Sequence, residues 1–399
     1  MRYIIITGVN FNNKGAQAMM FHLYYYLQKK WSDKKVVALC KNTEEQLKRY
    51  RERYKIRAVS FYLADSFYVE GGLYRIAGCI KGIQSRRNSL RLQRILRNTD
   101  LCVDASGFNF SSKFGPLDNY AWLENIEIMK RHKIPVVIMP QSFGPFDFPN
   151  WYRWGLKVKA QAILQYPKKI FAREQAGFDD LKEQFHVKNL FLSPDLVLLG
   201  NDLRPKDFYR NLASMKIYKV ADGSVAVVPN QKLQTHSTDL NGESIYVSTI
   251  KALRKENKKV YIIRHCDSDK KFCESLFKKF QDSENVFYID EDLDCIEYAE
   301  LIKHFDFAVV SRYHGIVHSY KAGTPCVVIG WADKYQELTQ QLCQSRYVMD
   351  LKSYDESVLQ SKIHEMCLNC QNEKVVINRY YGELIKSFDL YKIAFDGME

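Results

Sequence analysis

Phe305-Asp306-Phe307-Ala308-Val309-Val310 runs directly into Ser311-Arg312-Tyr313-His314-Gly315. The first part reads as a strand and the second as the turn that opens a helix. An arginine and a histidine therefore stand at a strand's carboxyl end, beside a helix amino end. Open α/β sheets bind their ligands at such places. The first N–H groups of a helix are unpaired and favour anions. Arginine adds a planar fork for carboxylate or phosphate. Histidine adds the side chain that exchanges a proton near neutral pH. Together these parts suit chemistry on a small acidic molecule.

Working outward, the same strand-then-helix alternation fills the chain. Strands are expected at 3–7, 35–40, 101–105, 135–139, 169–172 and 190–192. Helices are expected between them at 16–29, 43–53, 120–130, 151–165 and 175–185. The second half repeats the scheme. Strands are expected at 224–228, 260–264, 286–289, 307–310, 326–329 and 347–349. Helices are expected at 243–256, 270–280, 296–303, 316–322, 336–343 and 358–366, and a last one at 375–393. Alternation of this kind predicts βαβ units and mostly parallel sheets. The expected fold is α/β, with two Rossmann-like doubly wound domains facing across a cleft. The expected domains are 1–200 and 221–375, with a C-terminal helix at 376–399 packing back on the first. Sites in such folds sit between the domains.

The 399 residues leave room for two domains of about 100–200 residues each. Composition is that of a soluble globular protein, with 46% hydrophobic and 26% charged residues. The ten cysteines (40, 79, 102, 266, 273, 295, 326, 343, 367 and 370) are scattered, and several fall in strand-like runs. They read as reduced thiols of a cytoplasmic protein. The apolar run Tyr3 to Ile6 is too short for a secretory signal. No stretch approaches the ~20 apolar residues of a membrane span.

The net charge is +13. Much of the excess lies in the segment 73–98, where Arg75, Lys81, Arg86, Arg87, Arg91, Arg94 and Arg97 occur without an acid. Apolar residues interleave with them. The segment fits an anionic membrane surface, which would make the protein peripheral at the inner face of the cytoplasmic membrane. It equally fits a solvated helix face. Nucleic acid is not expected, because the aromatic residues do not interleave with the block.

Other strand ends carry further candidates. Gly8-Val9-Asn10-Phe11-Asn12-Asn13-Lys14-Gly15-Ala16-Gln17-Ala18-Met19 is a glycine- and asparagine-rich turn with Lys14 at the helix start. It is neither a dinucleotide fingerprint nor a Walker loop. Asp104-Ala105-Ser106-Gly107 lets a ligand approach the backbone, or serves only as a turn. Pro140-Gln141-Ser142-Phe143-Gly144-Pro145 forms a rigid loop. Arg173 ends another strand and faces the cleft, unless a surface pair with Glu174 or Asp179 holds it. His265 ends a strand of the second domain. His364, Cys367 and Cys370 lack a second ligand pair, and no metal site is expected. No G-x-S-x-G, HExxH or paired catalytic cysteine is present.

As an ordered set these segments resemble the polysaccharide pyruvyl transferase family. The carriers are Gly8 to Met19, Gln141-Ser142-Phe143-Gly144-Pro145, Ala172-Arg173-Glu174, Ser193-Pro194-Asp195, Ser311 to Gly315, and Ala322-Gly323-Thr324-Pro325. The resemblance implies a GT-B-like fold. It implies transfer of the enolpyruvyl unit of phosphoenolpyruvate onto two hydroxyls of a sugar, forming a ketal. The family's phosphoenolpyruvate-binding arginines match Arg173 and Arg312, and its catalytic histidine matches His314. Tyr313 and Gly315 complete that donor segment. Asn10, Asn13, Lys14, Gln17, Ser106, Gly107, Gln141 and Ser142 are expected to meet the acceptor. The acceptor would be a bacterial surface polysaccharide or its lipid-linked precursor. No cofactor is implied, because phosphoenolpyruvate is a co-substrate.

One position departs from the family. Many members read Asn-x-Gly-Asp-Glu in the first loop, whereas this chain has Ala16 for the aspartate. The base that deprotonates the sugar is therefore open among Asp104, Asp195 and His265. Two other readings stand beside the first. One is a glycosyltransferase of the same architecture using a nucleotide sugar. The other is a non-catalytic scaffold at the membrane.

Overall fold

A computed structural model describes residues 1–40, 42–60, 83–236 and 242–398. The first sheet is built from β1 (Tyr3–Val9), β2 (Lys35–Cys40), β3 (Ala58–Ser60), β4 (Thr99–Asp104), β5 (Phe108–Phe110), β6 (Val136–Phe143), β7 (Lys169–Ala172) and β8 (Leu190–Leu192). Its order is β3-β2-β1-β4-β6-β7-β8, with β5 beside the end of β6. The second sheet contains β9 (Val225–Val228), β10 (Val260–Ile263), β11 (Val286–Ile289), β12 (Phe307–Val310), β13 (Cys326–Gly330) and β14 (Val348–Asp350). Its order is β11-β10-β9-β12-β13-β14. Strand pairings in both sheets are parallel. Helices cover both faces, so the central strands are apolar without alternation. Val-Ala-Val-Val of β9 and Phe-Ala-Val-Val of β12 are buried at every position.

Each sheet reverses its winding between its first and fourth strands. That crevice lies beside β1 and β4 in one sheet and beside β9 and β12 in the other. The helices that matter for the site start at these carboxyl edges. They are α1 (Lys14–Lys30), α2 (Pro116–Arg131), α3 (Asn150–Ile163), α4 (Leu196–Leu199), α5 (Cys295–Ile302), α6 (Tyr313–Lys321) and α7 (Asp333–Gln341). The chain ends in α8 (Glu356–Ser387) and α9 (Leu390–Phe395).

The two sheets share one apolar core. It joins Ile4 and Ile6 of β1 and Leu23 of α1 to Val310, Ile316 and Val317 around α6. Polar struts cross the same junction. Gln17 Oε1 accepts from Cys295 N at 2.8 Å. Tyr54 donates to Asp294 Oδ2 at 2.8 Å, and Arg53 donates to Glu297 at 2.5 Å. Asn13 forms an isolated bridge with Cys266.

The C-terminal helices differ from expectation in two respects, the second being that the helix expected over 375–393 is broken at Phe388 and restarts at Leu390 under an Asp389 cap. A break was expected between 366 and 375, yet α8 runs unbroken from Glu356 to Ser387. Residues 367–374 contain no glycine or proline. Met366, Cys370, Glu373 and Ile377 continue the buried stripe at helical spacing. Glu373 is accepted there because Gln344 donates to it at 2.7 Å and Arg346 pairs with it. Beyond α8, Tyr391 of α9 stacks on Tyr26 at 4.0 Å and Phe395 meets Trp31 edge-on at 5.5 Å. The tail thereby lies against the first sheet's domain.

The basic block of 75–97 falls outside the described residues over 75–82. A helix at Ile83–Leu96 takes up most of the rest. No described helix is long and apolar enough to cross a membrane.

Candidate functional site

The turn after β12 is held rigidly. Ser311 O accepts from Asn230 Nδ2 at 3.1 Å and from the Tyr335 hydroxyl at 3.2 Å. Its Oγ accepts from Tyr246 at 2.6 Å. Arg312 then occupies the N-cap of α6 in an extended conformation. Its Nε donates to Asp269 Oδ2 at 2.9 Å, and its Nη2 reaches the other carboxylate oxygen and Ser268. Asp269 is fully buried and fixed by Gln231 N at 3.2 Å. Guanidinium carries five donors, so the Nη1 pair of Arg312 remains for a ligand.

His314 sits in the first turn of α6, between the two domains. On one side it packs on Gly15 of α1. A Cβ there would stand 2.3 Å from His314 Cγ, so only glycine allows the approach. On the other side His314 Nε2 is 3.4 Å from Asp195 Oδ2. Asp195 caps α4 through Oδ1, which accepts from Val197 N at 2.8 Å. Its Oδ2 accepts from Arg173 Nη1 at 2.7 Å. Burial alone would raise the Asp195 pKa. His314 and Arg173 outweigh that and hold the carboxyl well below the usual carboxylate range. Asp195 is therefore an ionised, buried group that orients both neighbours.

Arg173 ends β7 and is buried. Its Nε donates to Glu174 at 3.1 Å and its Nη2 to Ser142 at 2.6 Å. Ser142 in turn donates to Glu174 at 2.8 Å. The guanidinium lies 4.0 Å over the Tyr313 ring. Arg173 of the first domain thus touches the Arg312-Tyr313-His314 segment of the second.

Lys334, in the first turn of α7, completes this wall. Its Nζ lies 5.2 Å from the Phe108 ring, 5.6 Å from Tyr313 and 5.6 Å from Tyr335. No ion pair holds it among the described residues. Desolvation first, and the charge of Arg173 second, push its amine down to about 7. A second cationic pair lies nearby, where Lys14 and Arg264 approach Asp292 at 3.8 and 3.4 Å.

A family model described as polysaccharide pyruvyl transferase matches residues 13–333, which span both sheets. The chain belongs to the polysaccharide pyruvyl transferase family. No curated protein sequence matches it. Solved structures give the fold. HepE of Anabaena in complex with UDP-glucose is 11% identical, with a TM-score of 0.57 over 99% of this chain and 97% of that one. The UDP-GlcNAc 2-epimerase of Methanocaldococcus jannaschii is 12% identical, with a TM-score of 0.55 over 91% and 92%. Trehalose-6-phosphate synthase OtsA is 10% identical, with a TM-score of 0.55 over 99% and 97%. The architecture of this family member is GT-B.

The remaining candidates divide into two groups. Asp104 is occupied by the turn itself. Thr7 and Ser106 donate to its Oδ2 at 2.8 and 2.9 Å, and Ser106 N and Trp122 approach its Oδ1 at 3.3 and 3.4 Å. Asn10 accepts from Asn12 N, Asn13 caps α1, and Gln17 is an interdomain strut. Gly107 takes φ +70°, where glycine is at ease. These residues shape the loops. Lys14, Gln141, Ser142 and His265 are buried at the strand ends, and neither amide atom of Gln141 has a partner. His265 lies 5.0 Å from the Tyr298 ring and 5.8 Å from His318. Burial keeps it neutral, well below its ordinary pKa. His364 instead meets Glu256 at 2.9 Å on the surface.

Sequence reasoning missed Lys334, Asp269 and Glu174 as parts of this wall. The signal for Lys334 was present. Trp331-Ala332-Asp333-Lys334 follows β13 just as Ser311-Arg312 follows β12.

Proposed function

We propose that the protein moves the enolpyruvyl group of phosphoenolpyruvate onto two hydroxyls of a sugar, closing a pyruvate ketal. The acceptor is a bacterial surface polysaccharide or its lipid-linked precursor. The observation that carries the reading is the His314–Asp195–Arg173 cluster, where a proton-transfer group and a cationic clamp from opposite domains share one carboxylate. Lys334 supports it as an unpaired ammonium beside that clamp.

Phosphoenolpyruvate carries a carboxylate and a phosphate, so it needs cations at both ends. Arg173 and Lys334 take one end, and the free Nη1 of Arg312 with the α6 amino end takes the other. His314 delivers a proton to the methylene carbon, which leaves an oxocarbenium-like centre at C2. The first sugar hydroxyl adds at C2. The bond from C2 to the phosphate oxygen then breaks, and the second hydroxyl closes the ring. Of the two hydroxyl protons, one replaces the proton that His314 gave up and the other leaves with phosphate. Asp195 keeps the imidazole in place throughout. Lys14, Ser142 and Gln141 line the acceptor side.

The test is mass spectrometry of candidate glycans after incubation with phosphoenolpyruvate. A gain of the ketal mass that disappears in His314→Ala is expected. Its absence over a wide acceptor panel would refute the reading. A second reading, glycosyl transfer from a nucleotide sugar, is favoured by the fold of HepE, whose structure contains UDP-glucose. Parallel incubations with UDP- and GDP-sugars separate the two by the mass that is added.

A further inference from the structure

We propose that α3 docks the protein on a bilayer containing anionic lipid. The helix has two apolar faces where a surface helix needs one. Tyr152, Leu156, Ala160 and Ile163 are buried against the first sheet's domain. On the outer side Trp151 and Trp154 are 77% and 79% exposed, and Val158 is 47% exposed. Spacings of three and four residues place them in one stripe.

Leu117, 77% exposed at the start of α2, extends the patch. α2 and α3 run side by side in the same direction. Tyr120 meets Gly155, and Lys159 binds Glu124 and Glu127 at 2.9 and 2.5 Å. Leu117 therefore lies at the Trp151 end.

Large apolar side chains grouped on a surface mark an interaction site. Tryptophan beside basic residues is the composition of an interfacial helix. α3 carries Arg153, Lys157 and Lys159 and no acid. Lys159 is taken up by the glutamates of α2, whereas Arg153 and Lys157 have no carboxylate partner among the described residues. Those two are free to meet lipid phosphates, with Asp147 as the nearest acid along the chain. Aliphatic Leu117 and Val158 favour acyl chains over a glycan, which would use the rings alone.

The basic helix at Ile83–Leu96 fits this role less well. Its Leu92, Ile95 and Leu96 are buried in the core, and among its described side chains Leu90 is the one large apolar residue left exposed, against Leu117, Trp151, Trp154 and Val158 on the α2–α3 patch. Position agrees with α3 as well. α3 follows β6, whose end carries Ser142, so its amino end lies on the edge of the sheet that bears the site. The purpose of docking, delivery of a lipid-linked acceptor, rests on the proposed function. Binding itself does not, and it is measured without phosphoenolpyruvate.

The test is flotation of the full chain with vesicles of phosphatidylethanolamine and phosphatidylglycerol at low salt. The double variant Trp151→Ala/Trp154→Ala should bind at least about tenfold more weakly, since interfacial affinity follows the apolar area inserted. Its melting midpoint should match the parent, because both side chains are exposed. Wild-type tryptophan fluorescence should shift to the blue on vesicles. No binding by the wild type would overturn the proposal. So would an unchanged double variant beside an Arg91→Ala/Arg94→Ala variant that loses binding. Tryptophan quenching by a soluble acceptor glycan, without vesicle binding, would mark a sugar platform instead and equally overturn it.

Discussion

Substituting Gly15 by alanine adds one methyl group where the two domains touch. That carbon would lie 2.3 Å from Cγ, 2.4 Å from Nδ1 and 2.6 Å from Cβ of His314, where ordinary contact begins at 3.4 Å. The shortfall, 3.4 minus 2.3 Å, obliges something to move by about 1.1 Å. If α1 retreats, it strains the 2.8 Å bond from Cys295 N to Gln17. If the imidazole turns, it leaves the 3.4 Å contact with Asp195. A misplacement of about 1 Å at a reacting group costs about 10²-fold in rate. Overpacking costs about 1–3 kcal/mol of stability. Alanine's better helix propensity offsets about 0.5–1 kcal/mol of that. The expected outcome is a folded variant with kcat down about 10²-fold and little change in KM for phosphoenolpyruvate. Steady-state kinetics of ketal formation and a thermal melt measure both quantities. A wild-type kcat in Gly15→Ala would refute the idea that this close packing positions His314.

Three further outcomes are expected. Asp195→Asn removes the anion between Arg173 and His314. It should lower kcat by about 10²–10⁴-fold and cost about 3–5 kcal/mol in denaturant unfolding, because Arg173 loses a buried partner. His22, His265 and His318 are buried, with pKa values held below 6.5, down to about 3 for His318. Their folded pKa values are depressed, so this stability is complete above the unfolded value and drains away as pH falls through the folded one. From pH 6.5 to 5 His318 should remove about 2 kcal/mol, His22 and His265 act in the same direction, and melting midpoints that stay level over that range would contradict their neutral burial. Lys334, at about 7, is charged only below that pH. Phosphoenolpyruvate affinity should weaken as pH rises through about 7, and titration calorimetry of Lys334→Met should show this dependence gone.

The strands were legible because a parallel sheet covered on both faces demands uninterrupted apolar runs. Val225–Val228 and Phe307–Val310 could hardly be anything else. The clustering of Arg312, Tyr313 and His314 was legible for a related reason, since a strand's carboxyl end fixes where the next residues emerge. Partners were not legible. Nothing near Arg312 in sequence announces Asp269, which arrives from the loop after another strand. Asp195 was weighed as a base, yet its place between Arg173 and His314 follows only from the packing of α4 beneath α6. The long C-terminal helix was obscured by polar residues at 367–374. Burial of Glu373 against Gln344 and Arg346 decides that segment, and helix propensity does not.

The apolar core that passes from one sheet into the other has a mechanical consequence. A hinge that swung the lobes apart would wet Ile316, Val317, Leu23 and their neighbours together. At about 25 cal/mol per Å² of exposed apolar surface, such a gape is costly. The shared core favours entry and exit of substrates by local yielding of loops and side chains at the strand ends over a wide hinge opening. Heat should dismantle the two lobes in a single calorimetric peak.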